Sequence, residues 1–370
     1  MDKIKITNHQ LFSLTLCGTI GGSLLLISPA MAGIAKQDAW ISALIAPVYG
    51  IAVIWLYCFL ASKYPDKTLI GVIKSILGKW LGTIICINFI FSFFSTSSHI
   101  PWYIGNFITI EVMPETPMYV INLLFVAAFV IASLYGLETY ARASEVFTFL
   151  FLVIFFMAML FVSPNIQIQN LQPIFEHGLI PIVKSSVFMS CFTTFPMITL
   201  IMIYPVNLDN IHEAKKSIFK GYILGCIILC ITILMSILVF GSAIVAKTQF
   251  PTYMLGKEIS IGTIITRIEF LFGAIWFSTQ FTLEVIFFNA CVKGISELLG
   301  LKNHKLIILP LGFVEFLISM SSFPDSIYQA NWTRVAYIPY TITNGLIIPV
   351  LLLIVYLVKK CIFKAGVKNE

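Results

Sequence analysis

Two short stretches of this sequence combine residue types that can hold a small polar molecule inside an apolar chain. The first is Gly18-Thr19-Ile20-Gly21-Gly22-Ser23, with Pro29 six residues on; the second is Ser190-Cys191-Phe192-Thr193-Thr194-Phe195-Pro196. Glycines and proline interrupt helices, and a helix interrupted in lipid leaves N–H and C=O groups unpaired at several kcal/mol each. Such a break is tolerable only where protein or ligand takes those groups up. A half-helix starting near Gly22 aims N–H groups and a positive dipole end at the gap, which suits a carboxylate. The end of a half-helix before Pro196 presents carbonyls, which suit an ammonium. Together they would select a zwitterionic amino acid, with Thr19, Gly21, Gly22, Ser23, Phe192, Thr193 and Thr194 as ligand-binding candidates. A plainer reading stands beside each stretch. Gly18 and Gly22 have the spacing of close helix packing, and Pro196 alone makes an ordinary kink.

Ionisable groups in apolar segments are the second kind of candidate, because burying charge in lipid is costly. Arg267 and Glu269 lie near one end of a span, Glu284 near its other end, and Glu315 in the middle of the next. Ion pairing or snorkelling to the interface accounts for Arg267 and Glu269, and a structural partner accounts for Glu284. With the hydroxyl pair Ser278-Thr279, which could line a sodium site, these residues form the ion or gating set.

Catalysis finds nothing to work with. The histidines (9, 99, 177, 212, 304) form no HExxH pattern, every Asp lies in a loop, and no GxSxG occurs. Cys226 and Cys230 share a helix face without a His or a second thiol pair, as apolar filler does. No metal, no cofactor and no enzymatic activity is expected.

The elements that position these candidates follow from composition. The 370 residues are 59% hydrophobic and 11% charged, against roughly 25% charged in soluble domains, and the mean hydropathy is +0.96. That excludes a soluble enzyme, a nucleic-acid reader and a receptor with its own ectodomain. The longest connecting stretches, Lys63–Lys79 and Ser163–Ile180, are far short of the roughly 50 residues of a small domain.

Apolar runs predict ten spans: 11–35, 40–62, 80–104, 118–137, 143–162, 181–205, 218–244, 259–292, 306–323 and 336–358. With the N-terminus cytoplasmic, the inner segments hold seventeen of the 23 Lys and Arg residues, the asymmetry of the positive-inside rule with both termini cytoplasmic. It also accounts for the net charge of +6. The inner segment Asp66–Lys79 has the pattern of a surface-lying amphipathic helix. Lys3, Lys5 and Ala30-Met31-Ala32 mimic a cleavable signal, but the apolar run is too long for one and nine more spans follow.

Ten spans divide into five-helix repeats, 11–162 and 181–358, within one transmembrane domain. Five is odd, so the second repeat is inverted, and the two interrupted spans come first in each half. Interrupted helices at matching places of inverted halves point to a midplane binding site.

Further residues resemble a family over the whole length. Gly78-Lys79-Trp80-Leu81-Gly82 opens span 3, and Asn170-Leu171-Gln172-Pro173 with Gly178-Leu179-Ile180-Pro181-Ile182 leads into span 6. Arg267-Ile268-Glu269 with Trp276 sits in span 8, and Phe323-Pro324-Asp325 closes span 9. In this order they resemble the B subunit of nutrient germinant receptors, the spore germination permeases of the amino acid–polyamine–organocation superfamily. The resemblance implies an all-α, LeuT-like fold with broken helices 1 and 6, in the spore inner membrane. It further implies an A subunit and a lipoprotein C subunit as partners, Glu315 offering a possible contact with the A subunit, and a small amino acid or similar nutrient as trigger. Gly21 matches the first glycine of the family's span-1 break, whereas the second is Ser23; the span-6 pattern of Gly, apolar, Glu reads Thr194, Phe195, Pro196. Thr96 and Thr282 fall where the family's pocket is walled and join the ligand set. The expected function is that of a nutrient-binding receptor subunit. Its alternatives are a proton- or sodium-coupled amino-acid transporter and a non-binding assembly subunit.

Overall fold

A computed structural model describes residues 5–258 and 269–366. The described residues form helices α1 (Asn8–Gly21), α2 (Ile27–Ala35), α3 (Ala39–Ser62), α4 (Leu69–Leu77), α5 (Lys79–Glu111), α6 (Met118–Tyr135), α7 (Leu137–Val162) and α8 (Leu179–Thr193). A 3-10 segment, Phe195–Met202, continues α8. Then follow α9 (Ile211–Phe240), the short α10 (Ser242–Val245) and α11 (Pro251–Lys257), α12 (Glu269–Leu299) and α13 (Ile308–Ser321). The last crossing is α14 (Ser326–Trp332), α15 (Ile338–Ile342) and α16 (Ile348–Gly366), joined by π turns. No strand occurs among the described residues.

Nine helical stretches among the described residues are long and apolar enough to cross a membrane. The first of them, Ile27–Ser62, joins α2 to α3 across a reversal at Lys36, whose φ is 53°. α1 is too short to cross alone, with 14 residues; with α2 it makes one broken crossing, and that brings the total among the described residues to ten. The protein is a multi-pass membrane protein.

Local signals fix the helix ends. Thr7 and Gln10 form a reciprocal capping box at the start of α1, with Thr7 N–H donating to Gln10 Oε1 at 3.0 Å and Gln10 N–H to Thr7 Oγ1 at 3.1 Å. Asn210 caps α9 by accepting from the His212 and Glu213 N–H groups. Gly78 and Gly136 each close one helix and open the next at φ 83° and 94°, a region where a side chain is strained.

α1 stands at the centre. Its residues from Gln10 to Gly21 are nearly all buried, against α9, α12 and α7. The glycines facing it are packing sites: a Cβ on Gly221 would lie 2.7 Å from the Phe12 carbonyl, and one on Gly225 2.8 Å from Thr19. The other broken crossing is equally interior, every residue from Phe195 to Met202 except Pro196 being buried. By contrast α6 and α13 turn residues such as Leu124, Leu309 and Phe313 outward, as a lipid-facing surface does.

The segment predicted as a surface-lying amphipathic helix is helical and amphipathic, with its polar face partly exposed and its apolar face set against protein. Leu69, Ile70, Val72, Ile73 and Ile76 of α4 are buried, and α4 packs on α5, on α16 and on the 3-10 segment. Its apolar face fits protein as well as lipid, so periodicity alone could not choose between them.

Candidate functional site

The break in span 1 falls at residues 22–26, between α1 and α2. It is a pair of tight turns rather than an open gap. Ser23 and Leu24 N–H groups donate to the Ile20 carbonyl at 3.0 and 2.9 Å, and Leu26 and Ile27 N–H groups both donate to the Ser23 carbonyl at 3.1 Å. The donors expected to face a ligand are therefore partly taken up by the chain itself, which lowers the cost of the break in lipid. In span 6 the α-helix stops at Thr193, and Pro196 enters the first turn of the 3-10 segment without an N–H to lose.

A cavity of about 50 Å³ (space open to the centre of a water molecule) lies where these breaks meet. At about 10–15 Å³ per water it has room for roughly four waters. Gly22 and Leu26 of the first break and Phe192 and Pro196 of the second form two walls. α5 supplies Thr96, His99, Ile100 and Tyr103, and α12 supplies Gln280, Leu283 and Phe287. Trp332 and Tyr337 of the last crossing complete it.

The wall is largely aromatic. His99 stacks on Phe323 at 4.8 Å between ring centroids and meets Trp332 at 4.5 Å, and Phe192 meets Tyr337 at 5.0 Å. Ring faces of this kind attract a cation as well as an apolar side chain. The buried amide oxygen of Gln280 has no hydrogen-bond partner among the described residues. A buried acceptor left so costs about 1–3 kcal/mol, and Gln280 is the one side-chain amide among the described residues that line this cavity. The Tyr57 hydroxyl of α3 shares its one proton between the Phe195 and Gly345 carbonyls and ties the 3-10 segment to the last crossing.

Of the ligand-binding candidates, Gly22, Thr96 and Phe192 line the cavity. Gly21 is beside it, packed on α12 so closely that a Cβ would lie 2.8 Å from the Thr279 carbonyl oxygen. Ser23 is fully buried, and its hydroxyl has no partner among the described residues. Thr19, Thr193 and Thr282 hydroxyls donate back to their own helices, to Thr15, Met189 and Ser278 carbonyls. Thr194 shares a 2.7 Å hydrogen bond with the Tyr222 hydroxyl of α9. These last four are outside the cavity lining.

The ion or gating candidates are scattered. Arg267 lies outside the described residues. Glu269 begins α12, where the backbone of α11 packs against it at Gly256. Ser278 and Thr279 hydroxyls donate to Ala274 and Trp276 carbonyls of their own helix. Glu284 is fully buried and shares the Ser97 hydroxyl with Glu315.

The aromatic wall and Gln280 went unread in the sequence. His99 and Gln280 did carry a signal, as rare strongly polar residues within apolar spans, whereas Tyr103, Trp332 and Tyr337 look like any membrane aromatics.

Comparison with known proteins agrees with this architecture. The family profile described as "Spore germination protein" matches residues 5–326. Spore germination protein KB of Bacillus subtilis (strain 168) is 25% identical over 324 residues, covering 87% of this chain and 86% of that protein. Putative spore germination protein YfkT of the same organism is 26% identical, covering 90% and 91% respectively. Among solved structures, MhsT in complex with L-phenylalanine superimposes with a TM-score of 0.68 at 12% identity, over 96% of this chain and 99% of that one. A substrate-bound Na+-coupled sialic acid symporter gives 0.66 at 10% identity, over 92% and 79%. At these identities the likeness shows the fold, which is that of the LeuT-like transporters.

Proposed function

The chain belongs to the family of spore germination permeases, and from that premise we propose that it is a nutrient germinant receptor subunit. It binds a small amino acid, or a nutrient of similar size and polarity, at the junction of the two broken helices. The observation that carries this reading is the cavity at that junction, with an aromatic wall and the unpartnered Gln280 oxygen. The breaks offer polar backbone and the rings offer an apolar or cation-binding surface. In this reading both termini are cytoplasmic, the membrane is the spore inner membrane, and an A subunit and a lipoprotein C subunit receive the signal.

Binding shifts the receptor toward a closed arrangement of its two five-helix halves by no more than its differential affinity for that arrangement. Substitution of Gly22 by leucine, which fills the cavity beside Leu283, tests this. Spores with normal levels of the variant should lose their nutrient response, and an unaltered response would refute the assignment.

A coupled amino-acid transporter is the second reading, favoured by the likeness to symporters. Labelled amino-acid uptake into proteoliposomes separates the two. Gradient-driven accumulation supports transport, and saturable binding without accumulation supports sensing.

A further inference from the structure

Three helices meet at one hydroxyl. The Ser97 Oγ of α5 lies 3.0 Å from Glu315 Oε2 of α13 and in shorter contact with Glu284 Oε1 of α12. All three residues are fully buried. The remaining carboxyl oxygens, Glu284 Oε2 and Glu315 Oε1, have no hydrogen-bond partner among the described residues.

A serine hydroxyl has one proton to give. It donates to one carboxyl and can only accept from the other, so both contacts are hydrogen bonds only when the second carboxyl carries a proton of its own. Two carboxylates this close and walled off from water would also repel each other without a countercharge. Among the described residues, the packed elements supply none. α6 has no charged residue, and its Asn122 and Ser133 bond to Ser319 and Asn289. In α7, Arg142 pairs with Glu138, and Glu145 pairs with His9 of α1. Lys257 of α11 pairs with Glu111 of α5. Lys74 of α4 lies in a surface groove with Glu297 of α12, and Lys293 of α12 lies near the His304–Lys305 turn before α13. The remaining titratable neighbours are the Cys291 thiol of α12 and the His99 ring of α5, which stacks on Phe323.

We propose that Ser97, Glu284 and Glu315 form a binding site for a single proton, and that drawing α5 away from α12 and α13 releases it. On release the carboxyl O–H bond breaks, the proton passes to water, and two separated carboxylates remain. The site adjoins the cavity on two helices. Thr96, next to Ser97, and Gln280, one turn before Glu284, both line the cavity wall. A movement that widens the cavity between α5 and α12 therefore strains the shared hydroxyl. The proton count does not depend on what the cavity binds.

Infrared spectroscopy of the purified protein in nanodiscs at neutral pH tests the site. The wild type should show the carbonyl stretch of a buried protonated carboxylic acid, with the intensity of about one group and sensitivity to deuterium exchange. The isosteric double variant Glu284→Gln/Glu315→Gln should lack it. Ser97→Ala should shift its frequency, because the hydrogen-bond partner is gone; this variant decides the matter if the double variant does not fold. Absence of the band from the wild type, its persistence in the double variant, or an unmoved frequency in Ser97→Ala would each overturn the proposal.

Discussion

The indole N–H of Trp276 on α12 donates to the carbonyl of Gly21 at 3.1 Å, at the last residue of α1 before the break. That carbonyl belongs to the helix end that the interruption would otherwise leave without a partner. The same contact sets how closely the two helices approach, since Gly21 has no room for a side chain against Thr279 and Leu283. The geometry of the first break is thus imposed by α12 as well as by its own glycines.

Replacing Trp276 by Phe should lower stability by about 1–3 kcal/mol, the cost of a buried acceptor left unpaired together with lost packing. Gly21→Ala should cost a similar amount, about 1–3 kcal/mol, through overpacking. Both would be read as a fall in the thermal unfolding midpoint in detergent. Because the residues touch, the double variant should fall short of the sum of the two.

Gln280→Leu separates binding from stability. It removes an unpartnered buried oxygen, so the unliganded protein should be as stable as the wild type or more so, by up to about 1–3 kcal/mol. Stabilisation by nutrient should disappear in the same thermal-shift assay. A variant that is destabilised but still responds would place the recognition elsewhere.

Thr194 holds the second break from outside the cavity, through Tyr222. A Cβ on Gly50 of α3 would lie 1.9 Å from the Tyr222 hydroxyl and 3.0 Å from Thr194 Oγ1. Gly50→Ala should therefore disrupt this junction and lower the yield of folded protein. Adding Tyr222→Phe removes the clashing oxygen and should restore part of it, whereas pairing Gly50→Ala with a distant substitution should not.

The loop before α8 is fastened to the turn between α2 and α3. Asp38 accepts from the Phe175 N–H at 3.0 Å, and Gln37 donates to the Pro173 carbonyl at 2.5 Å and to Glu176 at 3.0 Å. Asp38 is buried, at 2% exposure, so Asp38→Ala should free the loop. Limited proteolysis near residues 173–178 should speed up several-fold on folded protein, following the population of the open form.

Sequence patterns exposed the two breaks well, because glycine and proline act locally. α1 ends at Gly21 and α8 at Thr193, within the stretches that the residue types marked. The lining of the cavity was legible only in part. Gly22 and Phe192 sit at the breaks themselves, whereas His99, Gln280 and Trp332 come from three other crossings that only tertiary packing brings together. Hydroxyls are an ambiguous signal for a physical reason: in a helix a Thr side chain satisfies itself on the carbonyl four residues back, as Thr19, Thr193 and Thr282 do. The partnership of Glu284 with Glu315 was equally hidden, being set by the packing of α12 against α13 around Ser97.

The most direct test of the central claim is equilibrium binding of labelled L-amino acids to the purified protein in nanodiscs, with Gly22→Leu measured alongside the wild type. The account predicts saturable binding of at least one small amino acid to the wild type and its loss in the variant. Binding of none, or equal binding to both proteins, would contradict it.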